Sequence, residues 1–129
     1  MQKNDVDKLV FSSSATVYGE DQAAATEDRR TYATNPYGWT KVMRLNTESI
    51  VHVMQAAGPH LLERQSGSVI NVASVAGLGG TPMVSPYGAS KAAVVSLTRT
   101  LAAEWGPANV RVNALCPGWT RTDLNRRLW

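Results

Sequence analysis

Three short apolar runs, each dissolving into small polar residues, alternate along the chain with two stretches of helical period. The first run, "KLVFSSSATVYG" (8–19), opens on a β-favouring burst and ends in serines. The profile is that of a buried strand leading into a site. "GSVINVASVAG" (67–77) repeats it, and "VRVNALCPG" (110–118) is a third strand of the same kind. Residues 20–34, "EDQAAATEDRRTYAT", carry no apolar period and read as a loop. From Pro36, which suits a first helical turn, apolar residues recur at Val42, Leu45, Ile50, Val53, Met54, Ala57, Leu61 and Leu62. That spacing predicts one long helix, bent where Gly58-Pro59 interrupts its hydrogen-bond ladder. After a glycine-rich loop, "GLGGTPMVSP" (77–86), a second helix is predicted over roughly 86–105. Ala92, Ala93, Val95, Leu97, Leu101 and Ala102 form its apolar side and Gly106-Pro107 its end.

Strand, helix, strand, helix, strand is a βαβαβ order, and crossovers between parallel neighbours are right-handed almost without exception. The expected fold is therefore α/β: a three-stranded parallel sheet with both helices on one face, half of a doubly wound domain occupying residues 1–129. The other sheet face would be bare, and "KLVF", "SVINVA" and "VRVNAL" are apolar enough to need cover. A homodimer or tetramer is the expected partner state.

Composition narrows the function. Thirteen Lys and Arg against ten Asp and Glu give a net charge of +3, with no long run of like charge. That balance points away from nucleic acid and membrane surfaces. The lone Cys116 cannot form an internal disulfide and fits a reducing compartment. With no apolar run near spanning length and a mixed, charged N-terminus, the chain is expected to be soluble and cytoplasmic. His52 and His60 lack a third ligand at metal spacing, so no metal site is expected.

The chemistry-bearing pattern occurs twice. "SPYGASK" places Tyr87 four positions before Lys91, and "NPYGWTK" places Tyr37 four before Lys41. That spacing puts both side chains on one helix face. A phenol ionises near ~10, too high for a base at neutral pH, unless an ammonium one turn away favours the phenolate. A serine hydroxyl at the adjacent strand end could then bind a substrate oxygen while the tyrosine moves a proton.

From about Trp39 to Asp123 the chain resembles the second half of a single-domain short-chain dehydrogenase/reductase, on "NVAS", "SPYGASK", "RLNTES" and "NALCPGWTRTD". The resemblance implies that Ser74, Tyr87, Lys91 and Asn46 are the catalytic set. It also implies that Pro117, Gly118 and Thr122 line the nicotinamide site. Residues 8–41, "LVFSSSATVYGE" with "NPYGWTK", resemble instead the extended branch of the superfamily, UDP-galactose 4-epimerases among them. There the matching positions are Ser14, Tyr37 and Lys41, a second and vestigial set. Two resemblances in one chain imply a junction near residues 37–43, an epimerase-like segment (about 1–41) joined to a dehydrogenase-like one (about 39–129).

The family holds its dinucleotide through a glycine-rich turn between a first strand and its helix. The glycine cluster at 77–80 follows the serine strand instead and reads as an active-site loop. The expectation is accordingly a recombined or engineered chimera that folds and oligomerises, with no cofactor and no enzymatic activity in isolation. The alternative is a minimal NAD- or NADP-dependent oxidoreductase using Ser74, Tyr87 and Lys91.

Overall fold

In the computed structural model, residues 8–11, 36–82 and 84–119 are described. Parallel strands β1 (Lys8–Phe11), β2 (Gly67–Val72) and β3 (Val110–Leu115) lie side by side in that order. β1 runs from Lys8 opposite Ser68 to Phe11 opposite Asn71; β3 pairs with β2 from Gly67 opposite Val110 to Val72 opposite Leu115. Helical segments α1 (Pro36–Met43) and α2 (Ser49–Glu63) fill the first crossover and α3 (Ser85–Trp105) the second. This is the α/β alternation that the hydrophobic pattern implies. β2 is shorter than its sequence run, because Ser74 to Gly77 go into a 3-10 turn.

One core joins α2, α3, β2 and β3. Ile50, Met54 and Leu61 from α2, Val94, Val95 and Trp105 from α3, Val69 from β2, and Val110 and Val112 from β3 pack together on a single side of the sheet. Each fully buried aliphatic side chain contributes roughly 1.5–3 kcal/mol. Gly58 lets the Trp105 ring lie against α2: a Cβ there would meet the ring at 2.9 Å.

Two expectations are corrected. The first helix is irregular not at Gly58-Pro59, which sit within α2, but at Arg44–Glu48, a π-helical turn between α1 and α2. Proline without an N–H removes one hydrogen bond, whereas a π turn widens the helix by a residue and redirects its faces. The second concerns the open face of the sheet. On β3 the side chains opposite the core are Arg111, Asn113 and Leu115, all exposed and mostly polar. A wholly apolar bare face is therefore not what β3 presents.

The buried stripe of α3 also differs from the expected apolar side. It runs through Ser90, Lys91, Val94, Val95, Thr98 and Trp105, while Ala92 is exposed. Polar residues occupy core-facing positions here, which hydrophobic periodicity cannot signal.

At the amino ends of the strands the chain turns sharply twice. Gln65 (φ 49) follows α2 and Asn109 (φ 57) follows α3, both left-handed, and the Asn109 amide donates to the Gln65 carbonyl at 3.2 Å. Asparagine tolerates this conformation; glutamine adopts it at a cost of roughly 1–2 kcal/mol. The two helix-to-strand joins are thus tied to each other.

Candidate active site

The site grows from the carboxyl end of β2. After Val72 the ladder with β3 continues through loop residues: Ala73 N–H donates to Leu115 O (2.7 Å) and Val75 N–H to Pro117 O (3.0 Å). Ser74 between them is extended and buried, and starts the short 3-10 turn Val75–Gly77. Its Oγ accepts from the Ala76 N–H at 3.2 Å. That leaves its own O–H free to donate to a ligand.

This turn is pressed onto the first turns of α3. A Cβ on Gly77 would meet the Lys91 carbonyl carbon at 2.6 Å and the Ala92 nitrogen at 2.8 Å, and one on Gly88 would lie 3.2 Å from Ala76 O. Glycine at 77 is required by close backbone approach, not by its dihedrals. The consequence is a fixed distance between the serine strand end and the helix bearing Tyr87 and Lys91.

Lys91 is only 2% exposed. Its Nζ donates to Val72 O at 3.0 Å and lies 5.8 Å from the centre of the Tyr87 ring. Burial pushes its amine below the ordinary value of 10.5. Desolvation disfavours the charged form, and among the described residues no carboxylate pairs with it to compensate.

Asn46 lies at the centre of the π turn and is fully buried. Its Nδ2 donates to Ser90 Oγ at 3.0 Å, and Ser90 Oγ donates to Tyr87 O at 2.7 Å. The neighbouring Thr47 Oγ1 donates to Ser90 O at 3.3 Å. A second bracket of the same design lies further along α3, where Asn71 Nδ2 donates to Thr98 Oγ1 (3.0 Å) and Thr98 Oγ1 to Val94 O (2.8 Å). There the Asn71 Oδ1 is buried without a partner.

Ser74, Tyr87, Lys91, Pro117 and Gly118 are thus gathered around one strand end, with Asn46 linked to it through Ser90. A Cβ on Gly118 would only just reach Val75, at 4.0 Å, and Trp119 beside it is 73% exposed, so the backbone here presents an open ledge. Of the second set, Lys41 is exposed and lines an outer groove with Arg44 and His52, while Ser14 and the Tyr37 side chain, and Thr122 of the first set, lie outside the described residues. Ser90, Thr98 and Asn71 are not picked out by the sequence pattern, and Gly77 is read there only as part of the loop cluster. The one signal for the two helix residues is that polar positions 90, 91 and 98 lie four, three and four residues from Val94 and so share its face.

A parallel sheet with helical crossovers, and a serine, tyrosine and lysine at a strand's carboxyl end, define the class as an α/β fold with a polar site at that edge. A family model described as short chain dehydrogenase matches residues 6–129, and the chain belongs to that family. It is 32% identical to a 3-oxoacyl-(acyl-carrier-protein) reductase of Thermotoga maritima, over 98% of this chain and 51% of the relative. It is 41% identical to the human dehydrogenase/reductase SDR family member 4, over 70% of this chain and 33% of the relative. The chain therefore spans about half or less of the length of these curated relatives. Among solved structures, a Burkholderia cenocepacia gluconate 5-dehydrogenase in complex with NADP and tartrate superposes with a TM-score of 0.77 at 31% identity, covering 98% of this chain and 46% of that one. A Brucella melitensis 3-oxoacyl-(acyl-carrier protein) reductase with bound NAD gives 0.74 at 30% identity, covering 94% and 45%.

These likenesses correct two expectations. A single family model crosses the supposed junction near residues 37–43, so neither a chimera nor an engineered origin gains support, and the epimerase resemblance of residues 8–41 gains none either. The expectation of no cofactor is likewise unsupported, since those two solved neighbours carry NADP and NAD. Among the described residues no helix is long and apolar enough to cross a membrane, and no cluster of His, Cys, Asp and Glu could hold a metal ion.

Proposed function

We propose that this chain carries the catalytic half of an NAD- or NADP-dependent oxidoreductase acting on a carbonyl or its alcohol. The observation that carries the reading is the Gly77 contact, which locks the Ser74 turn onto the Tyr87–Lys91 turn at the open ledge of Pro117 and Gly118. A nicotinamide bound there would supply or accept the hydride. The donor set fits such a group: two hydroxyls and one ammonium at a strand end, beside glycine backbone with room for a flat ring. In this reading Ser74 O–H holds the substrate oxygen, and Tyr87 gives it a proton or takes one from it. Lys91, one turn from Tyr87 with its Nζ 5.8 Å from the ring centre, places an ammonium beside the group that moves the proton. Pro117 and Gly118 would flank the ring, and Asn46 supports the helix from behind.

The test is addition of NAD(H) and NADP(H) to the purified chain, reading nicotinamide fluorescence and melting temperature, followed by turnover of simple secondary alcohols. A ligand bound only by the folded state must stabilise it. Binding together with turnover that falls by roughly 10²-fold or more in Tyr87→Phe is the expected result. Absence of any melting shift at millimolar cofactor would sink the proposal. We also propose self-association, supported by exposed Trp39 and Leu45 along α1 and the turn after it; a monomer by light scattering would remove it.

A further inference from the structure

Ser90 occupies the middle of the Tyr87–Lys91 turn, yet no role in the proposed chemistry falls to it. It is fully buried, and its polar atoms are held on three sides. Its hydroxyl has one proton, which goes to the Tyr87 carbonyl at 2.7 Å, so toward Asn46 it can only accept; the amide Nδ2 therefore faces it at 3.0 Å. Its own carbonyl receives Thr47 Oγ1 at 3.3 Å. Two successive residues of the π turn thus grip one serine.

The carbonyl that Ser90 engages is the one that matters for Tyr87 and Lys91. In an α-helix the carbonyl of residue 87 accepts the N–H of residue 91, so it is the backbone link across that pair. A serine hydroxyl donating back to the preceding turn competes for that acceptor and bends the helix slightly. Here the hydroxyl cannot rotate away, because Asn46 occupies its lone pair and Thr47 holds its backbone. We propose that Ser90 is a positioning residue: clamped by Asn46 and Thr47, its hydroxyl fixes the turn that sets the Tyr87 ring against the Lys91 ammonium. The clamp also makes the π turn part of the site's geometry, since a regular helix would not present residues 46 and 47 together to one point on α3.

The inference builds on the oxidoreductase reading, but its test needs neither cofactor nor substrate. Protein labelled with ¹³C at tyrosine Cζ is observed at neutral pH, and the Tyr87 signal is assigned by its loss in Tyr87→Phe. Ser90→Ala should displace the Tyr87 Cζ signal, because the ring's distance from the Lys91 ammonium is no longer fixed. Ser90→Thr, which keeps the hydroxyl, should restore it. Asn46→Ala should shift it in the same direction, and adding it to Ser90→Ala should add little, as expected for one connected unit. A role confined to stability would lower the melting temperature and leave the Tyr87 Cζ signal of the folded variant in place. That outcome overturns the proposal, as does a shift that Ser90→Thr fails to restore. Should Ser90→Ala not fold, Ser90→Cys, similar in volume but a weaker donor, is read in its place by the same criteria. Failure of the cofactor-binding test above would remove the catalytic reading without changing this measurement.

Discussion

The two ends of the sheet use glycine and polar groups in opposite ways. At the amino end, Gly58 admits an aromatic ring, Leu61 packs beside Gly67, and the two turns at Gln65 and Asn109 are stitched by one amide-to-carbonyl bond. At the carboxyl end, Gly77 admits backbone, and a buried lysine and two hydroxyls replace aliphatic packing. A side chain can tilt by a few tenths of an ångström, but the backbone of α3 cannot move without moving Tyr87. The amino end is thus built to hold the fold and can give; the carboxyl end is built to hold a distance and cannot.

The largest break in that contrast should come from Gly77→Ala. Its methyl would sit 2.6–2.8 Å from the Lys91 and Ala92 backbone. Overpacking of this kind costs roughly 3 kcal/mol or more. Chemical denaturation should show it, with nicotinamide binding lost alongside. Gly58→Ala meets only the Trp105 ring, and the same measurement should give a smaller loss, about 1–2 kcal/mol, with binding kept. Equal losses at the two sites would erase the distinction between the ends.

The polar bracket further along α3 sharpens the comparison. Thr98→Val strips the Asn71 amide of its acceptor and should destabilise by roughly 1–3 kcal/mol. Adding Asn71→Leu removes the orphaned Oδ1 as well, and the double variant should recover most of that loss. No such recovery is expected for Asn46 and Ser90 in the Tyr87 Cζ signal, since there the bracket serves position.

Lys91 gives the carboxyl end a pH signature. Its amine titrates below 10.5 in the fold and at its ordinary value when unfolded, so between those values the unfolded chain holds more protons. Stability should rise with pH across that window. Below it, the cost of burying the ammonium is fully present. Lys91→Met should be more stable than the parent at neutral pH, and the difference should shrink as pH approaches 10.5 in thermal melts. The smallest effect belongs to the amino end. Gln65→Gly relieves a left-handed residue while keeping the carbonyl that Asn109 uses, and should add about 0.5–1 kcal/mol.

What the sequence shows and hides follows the same divide. Strand β2, the Gly-Pro stop after α3, and the Ser74, Tyr87 and Lys91 spacing were legible because each rests on local period or on a fixed offset along one helix. The burial of Lys91, Ser90 and Thr98 was not. A polar residue on a helix reads as solvent-facing until its partner on another element is known, and Asn46 and Asn71 lie 44 and 27 positions away from theirs. Gly77 looked like one of a flexible cluster, because what it touches is fourteen or more positions along the chain. The π turn was illegible for a related reason: nothing in the local pattern of "RLNTE" marks the wider winding, and the residue it turns toward α3, Thr47, bonds a carbonyl 43 positions away.

That wider winding is, in counting terms, one residue more than an α-helix would need to cover the same path. Deleting any single residue from Arg44–Glu48 would let an uninterrupted α ladder run from Pro36 to Glu63, and by helix propensity alone the shortened segment should be the better helix. If instead all five residues stayed and wound as regular α-helix, α1 would be rotated by up to roughly 100° about the axis relative to α2. Trp39, Thr40 and Lys41 would all swing to new bearings against α3. The extra residue works like the tooth of a gear: it contributes nothing to the strength of the shaft and everything to which faces engage.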